Sequence, residues 1–215
     1  YIAVTGVQTC ALPISRLHRR MSLNVLIIAE DFRYDHHVVK PLVSELFAEV
    51  GKPNANVQMC TDPVVRGANQ VLNPSIIEDV VVTNPQVDLY VLVVDRDGDD
   101  RDKAGKLQAR EDDARQILRD TQDLLGSQAH QEVEVWLLAA QHDLPTAWNW
   151  SDVRSEPHAK EVYFQPYANQ KGFDGGDNAM GREVLGRAVS GNYTRVRQLC
   201  AEVQNLEGRV ADIVT

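Results

Sequence analysis

The 215-residue sequence predicts an α/β fold, a mostly parallel sheet with helices on both faces. Three observations carry that expectation. Short apolar runs rich in β-branched residues alternate with stretches of helical periodicity, the order from which parallel sheets are built. The runs are continuously apolar, as strands covered on both faces require. Two of them stop abruptly in acid, the first at Glu30-Asp31 and a later one at Asp95-Arg96-Asp97.

Asn24–Ala29 is the first strand by its brevity and its polar stop. From His37 to Val50, apolar residues recur at Val38, Val39, Leu42, Val43, Leu46 and Phe47, which is helical spacing. Pro41 falls in the first turns of that helix, where proline is tolerated, and Gly51-Lys52-Pro53 stops it. Asn56–Cys60 is a shorter strand, followed by a loop with Pro63 and Gly67. Pro74 opens a helix to about Val82, with Asn73 as its cap. Val87–Val94 is the strongest strand, and the charged turn Asp95–Asp100 ends it. Lys106–Leu125 reads as an amphipathic helix whose buried stripe is Ala114, Ile117, Leu118, Leu124 and Leu125. Glu132–Ala139 begins with clean alternation and reads as a fourth strand, with the option of running into a helix. Residues 144–180, rich in Pro, Gly, Asn, Asp and aromatics, read as a long ordered loop region. A final helix is expected from Asn192 or Tyr193 to about Leu206, carrying Val196, Leu199, Cys200 and Val203.

The first twenty residues read as foreign. Residues 4–14 resemble the in-frame translation of a short-read sequencing adapter, so residues 1–20 are expected to be a non-native leader, with the native start at Met21. A signal peptide would need positive charge ahead of a continuous apolar stretch, whereas Arg16, Arg19 and Arg20 follow a short, mixed one. Residues 21–143 then form the α/β core, and 144–215 a loop-rich extension of the same domain. Without the leader and its three arginines the net charge moves from −9 to −12. Such a chain does not attract nucleic acid by bulk charge, so cations or a basic partner must intervene. Cys60 and Cys200 offer neither a metal-ligand spacing nor a disulfide framework, which points to a reducing cytoplasm. The apolar runs are far shorter than the roughly 20 residues that span a bilayer, so no membrane association is expected.

In an open parallel sheet, ligands sit beyond the carboxyl ends of the strands. If the first strand and the Val87–Val94 strand are neighbours, Glu30, Asp95 and Asp97 converge there. Paired carboxylates at an apolar strand end are costly unless a cation neutralises them. Magnesium takes oxygen ligands and is commonly held by one or two carboxylates plus substrate phosphates, so Mg2+ or Mn2+ is the expected cofactor.

An acidic residue closing the first strand, followed later by an apolar strand ending in Asp-x-Asp, resembles the Toprim domain of topoisomerases, bacterial primases and nucleases of the overcoming-lysogenization-defect class. Here those residues are Glu30 and Asp95-Arg96-Asp97. The stand-alone Toprim-like proteins of bacterial genomes are the most similar, through Glu134-Val135-Trp136-Leu137-Leu138-Ala139 and a weak echo of Pro-Lys-Glu at Pro157-His158-Ala159-Lys160-Glu161. The resemblance covers residues 23–140. Many members carry glycine after the first acid, where this chain has Asp31-Phe32. The resemblance implies a Rossmann-like Toprim fold and magnesium-dependent cleavage of nucleic acid phosphodiesters, DNA before RNA, in phage defence or DNA repair. Asp95 and Asp97 would hold the metal, and Glu30 would complete its shell or act as general acid or base. A separate ATPase is the implied partner, since the chain has no Walker motif, and a homodimer is one open arrangement. The alternatives are a non-catalytic Toprim-like binding subunit and an α/β protein binding a small phosphorylated ligand.

Candidate supporting residues are Glu134, which on a strand would share a face with Glu132 and Trp136 and is otherwise a buried hydrogen-bonded or interface residue, Arg66, a phosphate contact or an ordinary loop arginine, and Lys160 and Glu161. His36-His37, His142 and His158 have no zinc spacing, and the glycines of Gly172–Gly181 lack the Gly-Lys-Ser/Thr end of a phosphate-binding loop and read as a flexible loop. Arg182, Arg187, Arg195, Arg197 and Arg209 either offset acidic repulsion toward a nucleic acid or balance a solvated helix.

Overall fold

A strand that is apolar on both faces is stable only when helices cover both, and the chain supplies them in sequence order. The structure, a computed structural model, describes residues 22–98, 102–173 and 179–214. The leader, Met21, the turn residues Asp99 and Asp100, and Gly175 and Gly176 of the glycine-rich stretch lie outside them. Strand β1 (Asn24–Ala29) leads through α1 (Phe32–Asp35) and α2 (Val39–Glu49) to β2 (Asn56–Met59). Helices α3 (Ala68–Val71) and α4 (Pro74–Thr83) precede β3 (Leu89–Asp95), and α5 (Asp102–Ala114) precedes β4 (Asp123–Ala129). Helices α6 (Val133–Ala139) and α7 (Trp150–Ser155) follow, then a π-helical turn over Lys160–Phe164 that runs into α8 (Gln165–Gln170). Three helices close the chain: α9 (Ala179–Gly191), α10 (Tyr193–Leu199) and α11 (Ala201–Val214).

The four strands form one parallel sheet in the order β2-β1-β3-β4. Alternate side chains separate two cores. Val25, Ile27, Leu89, Val91 and Val93 face α2, α6 and the helices after residue 144, while Leu26, Ile28, Tyr90, Leu92 and Val94 face α3, α4 and α5. The α/β expectation therefore holds as a parallel sheet sandwiched between helices. Local signals hold as well. Asn73 accepts from Ser75 N at 3.0 Å ahead of Pro74, and Gly51 takes φ 80° just past α2, a left-handed turn that suits glycine. Among the described residues no helix is long and apolar enough to cross a membrane.

Four expectations are corrected. The helix expected over Lys106–Leu125 ends at Ala114, and the fourth strand is Asp123–Ala129. Leu124 and Leu125 enter opposite cores, as consecutive strand residues do, and Ile117 is exposed rather than buried. Glu132–Ala139 is not a strand: α6 is buried all round from Val133 to Ala139, so its sequence shows no helical period. Residues 144–180 carry α7, the π-turn and α8 rather than loop alone, and Gly181 lies inside α9. These pieces bury Val153, Phe164, Tyr167 and Leu185 in the same core as β1 and β3, so the extension is helical and not irregular. The last helix is two, parted at Cys200, whose extended φ −123° and ψ 95° break the ladder.

Candidate functional site

β1 and β3 are hydrogen-bonded neighbours in register Ala29↔Val93, so their carboxyl ends deliver Glu30 and Asp95 side by side. The Glu30 carboxylate accepts from Asp95 N at 2.9 Å. Asp95 in turn accepts from Val133 N at 2.9 Å, at the start of α6, where unpaired helix N–H groups favour negative charge. The chain after β1 is pinned twice. Gly67 N donates to Glu30 O at 2.8 Å, and Asp31 forms an antiparallel bridge with Arg66. Asp31 also caps α1, and its own N–H donates to Asp35 Oδ2 at 2.9 Å.

These groups open onto a cavity of about 420 Å³. Glu30, Asp35, Asp95 and Glu132 form an acidic wall, and Arg66, Lys160 and Arg182 also line the cavity. The Glu132 carboxylate accepts from Lys160 N at 2.6 Å. Glu134 pairs with Arg182, and both side chains are buried at 3 % and 7 % exposure. Arg182 lies over the Tyr34 ring, 5.3 Å from its centre, and its Nε is buried without a hydrogen-bond partner among the described residues.

Burial raises the wall's carboxyls. Desolvation pushes Glu30 up, offset in part by Asp95 N and Lys103 and reinforced by Asp97 and Asp35. Asp95 keeps a partial opening to the cavity, yet protein surrounds it closely enough that desolvation drives its carboxyl well above the usual range, with Asp35, Glu30, Asp97 and Glu132 adding repulsion. Asp35 is pushed by burial to about 6 despite Asp31 N and Arg182. Glu132 is raised by burial and by its acidic neighbours Glu161 and Asp97. Burial also lowers the Arg182 guanidinium, against the pull of Asp35, Asp95, Asp31 and Glu132.

Of the residues singled out in the sequence, Glu30, Asp95, Glu134, Arg66 and Lys160 meet at this cavity. Asp97 does not line it. At φ 49° Asp97 turns to an ion pair with Lys103, whose Nζ also donates to Asp95 O at 2.9 Å. Glu161 is exposed and reaches the site only as charge beside Glu132. The shared strand face of Glu132, Glu134 and Trp136 is corrected. Glu132 precedes α6, Glu134 meets Arg182 in its first turn, and Trp136 sits in the core with its N–H on Glu202 at 2.8 Å. Asp35, Glu132, Lys103 and Arg182 are the members not foreseen as site residues. Asp35 had one available signal, its i+4 spacing from Asp31 at a helix start.

Among the described residues, no three Asp, Glu, His or Cys side chains stand in an arrangement that could hold a metal. The donor chemistry nevertheless fits Mg2+ or Mn2+ at a smaller set. Glu30 and Asp95 offer carboxylate oxygens from adjacent strands, and their surplus negative charge is what a divalent ion relieves. Asp97 would join them by exchanging its contact with Lys103. Comparison with known protein families, with characterised proteins and with solved structures finds no match to this chain, so the Toprim resemblance rests on its own residues.

Proposed function

We propose that this protein is a Toprim-like, magnesium- or manganese-dependent enzyme that cleaves nucleic acid phosphodiesters, DNA before RNA. One observation carries the reading: Glu30 and Asp95 stand together at the carboxyl ends of adjacent parallel strands, with burial holding both carboxyls above their ordinary values. A divalent ion bound there would neutralise charge developing on a phosphodiester. Glu30 and Asp95 hold it, and Glu30, its carboxyl raised by burial above its ordinary value, is also suited to take up or give a proton. The two acids share their protons, so neither carries a private pKa. Arg66 and Lys160 supply the positive charge that an acidic chain needs in order to accept a phosphate. Glu134 holds Arg182 in the wall and so acts as a positioning residue.

A non-catalytic Toprim-like binding subunit is favoured by one feature, the ion pair that holds Asp97 on Lys103. Supercoiled plasmid with Mg2+, Mn2+ or EDTA separates the two readings. Asp95→Asn and Glu30→Gln keep an oxygen for the Val133 and Asp95 N–H groups and remove only charge. Each is expected to lower metal-dependent nicking by about 10²- to 10⁴-fold while leaving the protein folded. Nicking retained in both purified variants overturns the catalytic assignment. Stabilisation by the ion with no cutting by the unmodified chain replaces the enzyme with the binding subunit.

A further inference from the structure

We propose that a second groove, across α1 from the acidic cavity, binds single-stranded nucleic acid through base stacking and phosphate contacts. The single turn of α1 divides the two. Asp31, Tyr34 and Asp35 face the acidic cavity, whereas Phe32, Arg33 and His36 line a separate cavity of about 530 Å³ with Lys40, Met59 and Thr61. Both open at the same edge of the sheet, since Met59 ends β2 and Phe32 follows β1.

The groove's chemistry is the inverse of its neighbour's. Among the described residues no Asp or Glu lines it, in a chain of net charge −9. Lys40, on the exposed side of α2, makes no ion pair among the described residues. Arg33 is held in place: its Nε and NH2 donate to Asp31 at 3.1 and 2.9 Å, and its guanidinium lies 5.4 Å from the centre of the Tyr34 ring. Asp31 engages two of the five guanidinium N–H donors with these contacts, and the side chain remains 52 % exposed. The His36 Nδ1 pairs with Phe32 O at 3.0 Å, leaving Nε2 as the ring's other hydrogen-bonding atom. Among these nitrogens stand Phe32 and Met59, both partly exposed. An aromatic face among cations is the arrangement that takes a base and its flanking phosphates, and stacking of this kind tolerates any sequence. In a duplex the base faces are already stacked, so Phe32 favours a single strand. Such a strand would cross α1 to present a phosphate at Arg66 and Lys160.

The inference rests on the nucleic-acid reading of the acidic cavity, and the test lets the two fail separately. A fluorescein-labelled oligothymidylate 12-mer is titrated with the full chain in EDTA, where metal-dependent cutting is absent, and anisotropy is read across a salt series. The unmodified chain is expected to bind the single strand more tightly than the matching duplex. Two cations, Arg33 and Lys40, give a slope of log K against log salt of about −1.4, and Lys40→Gln removes about 0.7 from it. Phe32→Ala weakens binding by roughly 5- to 100-fold. Lys40 lies on the surface, so its variant tests the groove even where Phe32→Ala disturbs α1. Asp95→Asn binds at least as tightly as the unmodified chain. Absent binding, equal binding by the two groove variants and the unmodified chain, or preference for phosphatidylserine vesicles over the oligonucleotide overturns the proposal. Nicking with unchanged groove-variant binding leaves the nuclease reading standing without the groove, whereas groove-dependent binding without nicking leaves the groove without the nuclease.

Discussion

Carboxylates meet the sheet in two places, and the protein treats them in opposite ways. Along the outer edge of β4 two buried carboxylates, Glu111 and Glu202, are matched. Glu111 accepts from Gly126 N at 2.7 Å and from Arg209 at 2.6 Å, and Arg209 also donates to Gly126 O at 2.9 Å. Glu202 accepts from Arg154 at 2.7 and 2.8 Å and from the Trp136 indole at 2.8 Å. Burial pushes Glu202 up, but the Arg154 hydrogen bonds and charge, helped by Trp136, bring it below its ordinary value. At the carboxyl ends of β1 and β3, Glu30, Asp35, Asp95 and Glu132 are crowded and all raised. Matched carboxylates at the edge brace the fold and cover an otherwise open strand. Surplus carboxylates at the strand ends oppose their own burial, the kind of perturbation that collects at functional sites.

The comparison breaks first at Glu202. Glu202→Ala strips partners from the fully buried Trp136 N–H and the mostly buried Arg154. The expected loss is about 3–5 kcal/mol, read from the denaturant midpoint. A loss below about 1 kcal/mol would mean that this edge carboxylate is no brace. Asp35→Asn tests the other side with the opposite sign. The folded chain holds the Asp35 proton more tightly than the unfolded chain, 3.8 against about 6, so stability falls as pH rises through that window and stays lower above it. The substituted amide would keep an oxygen for Asp31 N and has no charge to bury. The variant is expected to be more stable than the natural chain by about 3 kcal/mol above pH 6 and by nothing below pH 4, in melting curves across pH. Parallel curves would show that Asp35 does not carry the strain.

Much of the acidic edge is legible in the sequence because strand ends announce themselves. The run Val-Leu-Ile-Ile-Ala before Glu30 and the run before Asp95 are short, rich in β-branched residues and end in acid, which marks them as strands, and parallel pairing then brings the two acids together. The braces are not legible. Arg209 and Glu111 are 98 residues apart, and nothing local in either distinguishes a brace from a solvated charge. The fourth strand is obscured for a related reason. Asp123–Ala129 contains Gly126, Ser127 and Gln128 because it lies at the sheet edge under charged partners, whereas α6 looks like a strand because it is buried all round. Arg182 is hidden by the Gly-rich residues before it, which read as loop and not as the approach to a helix that enters the site.

A divalent ion sharpens the contrast, since it binds surplus charge and ignores matched pairs. At a hundred times its dissociation constant, Mg2+ or Mn2+ is expected to stabilise the natural chain by about 2.7 kcal/mol. Asp95→Asn loses that shift in a thermal melt, while Arg209→Gln, already less stable, keeps it. An equal shift in Asp95→Asn places the ion elsewhere.

The smallest expected effect falls at Gly126, the residue around which the edge brace closes. An added Cβ would lie 2.9 Å from Leu107 Cδ2 and 3.1 Å from both Leu107 Cβ and Glu111 Oε1. The terminal methyl can rotate away, but the Leu107 Cβ is fixed to α5, so helix and strand must part by a few tenths of an ångström. Overpacking of that size costs about 1–3 kcal/mol, and the lost freedom of the unfolded chain returns about 0.4–1 kcal/mol. Gly126→Ala is therefore expected to lose about 1 kcal/mol in stability and, on the proposed nuclease reading, to nick plasmid at the natural rate, because Gly126 pairs with Leu92, three residues before Asp95. A fall in cutting that exceeds the fall in folded protein would show that the braced edge and the acidic edge act as one unit.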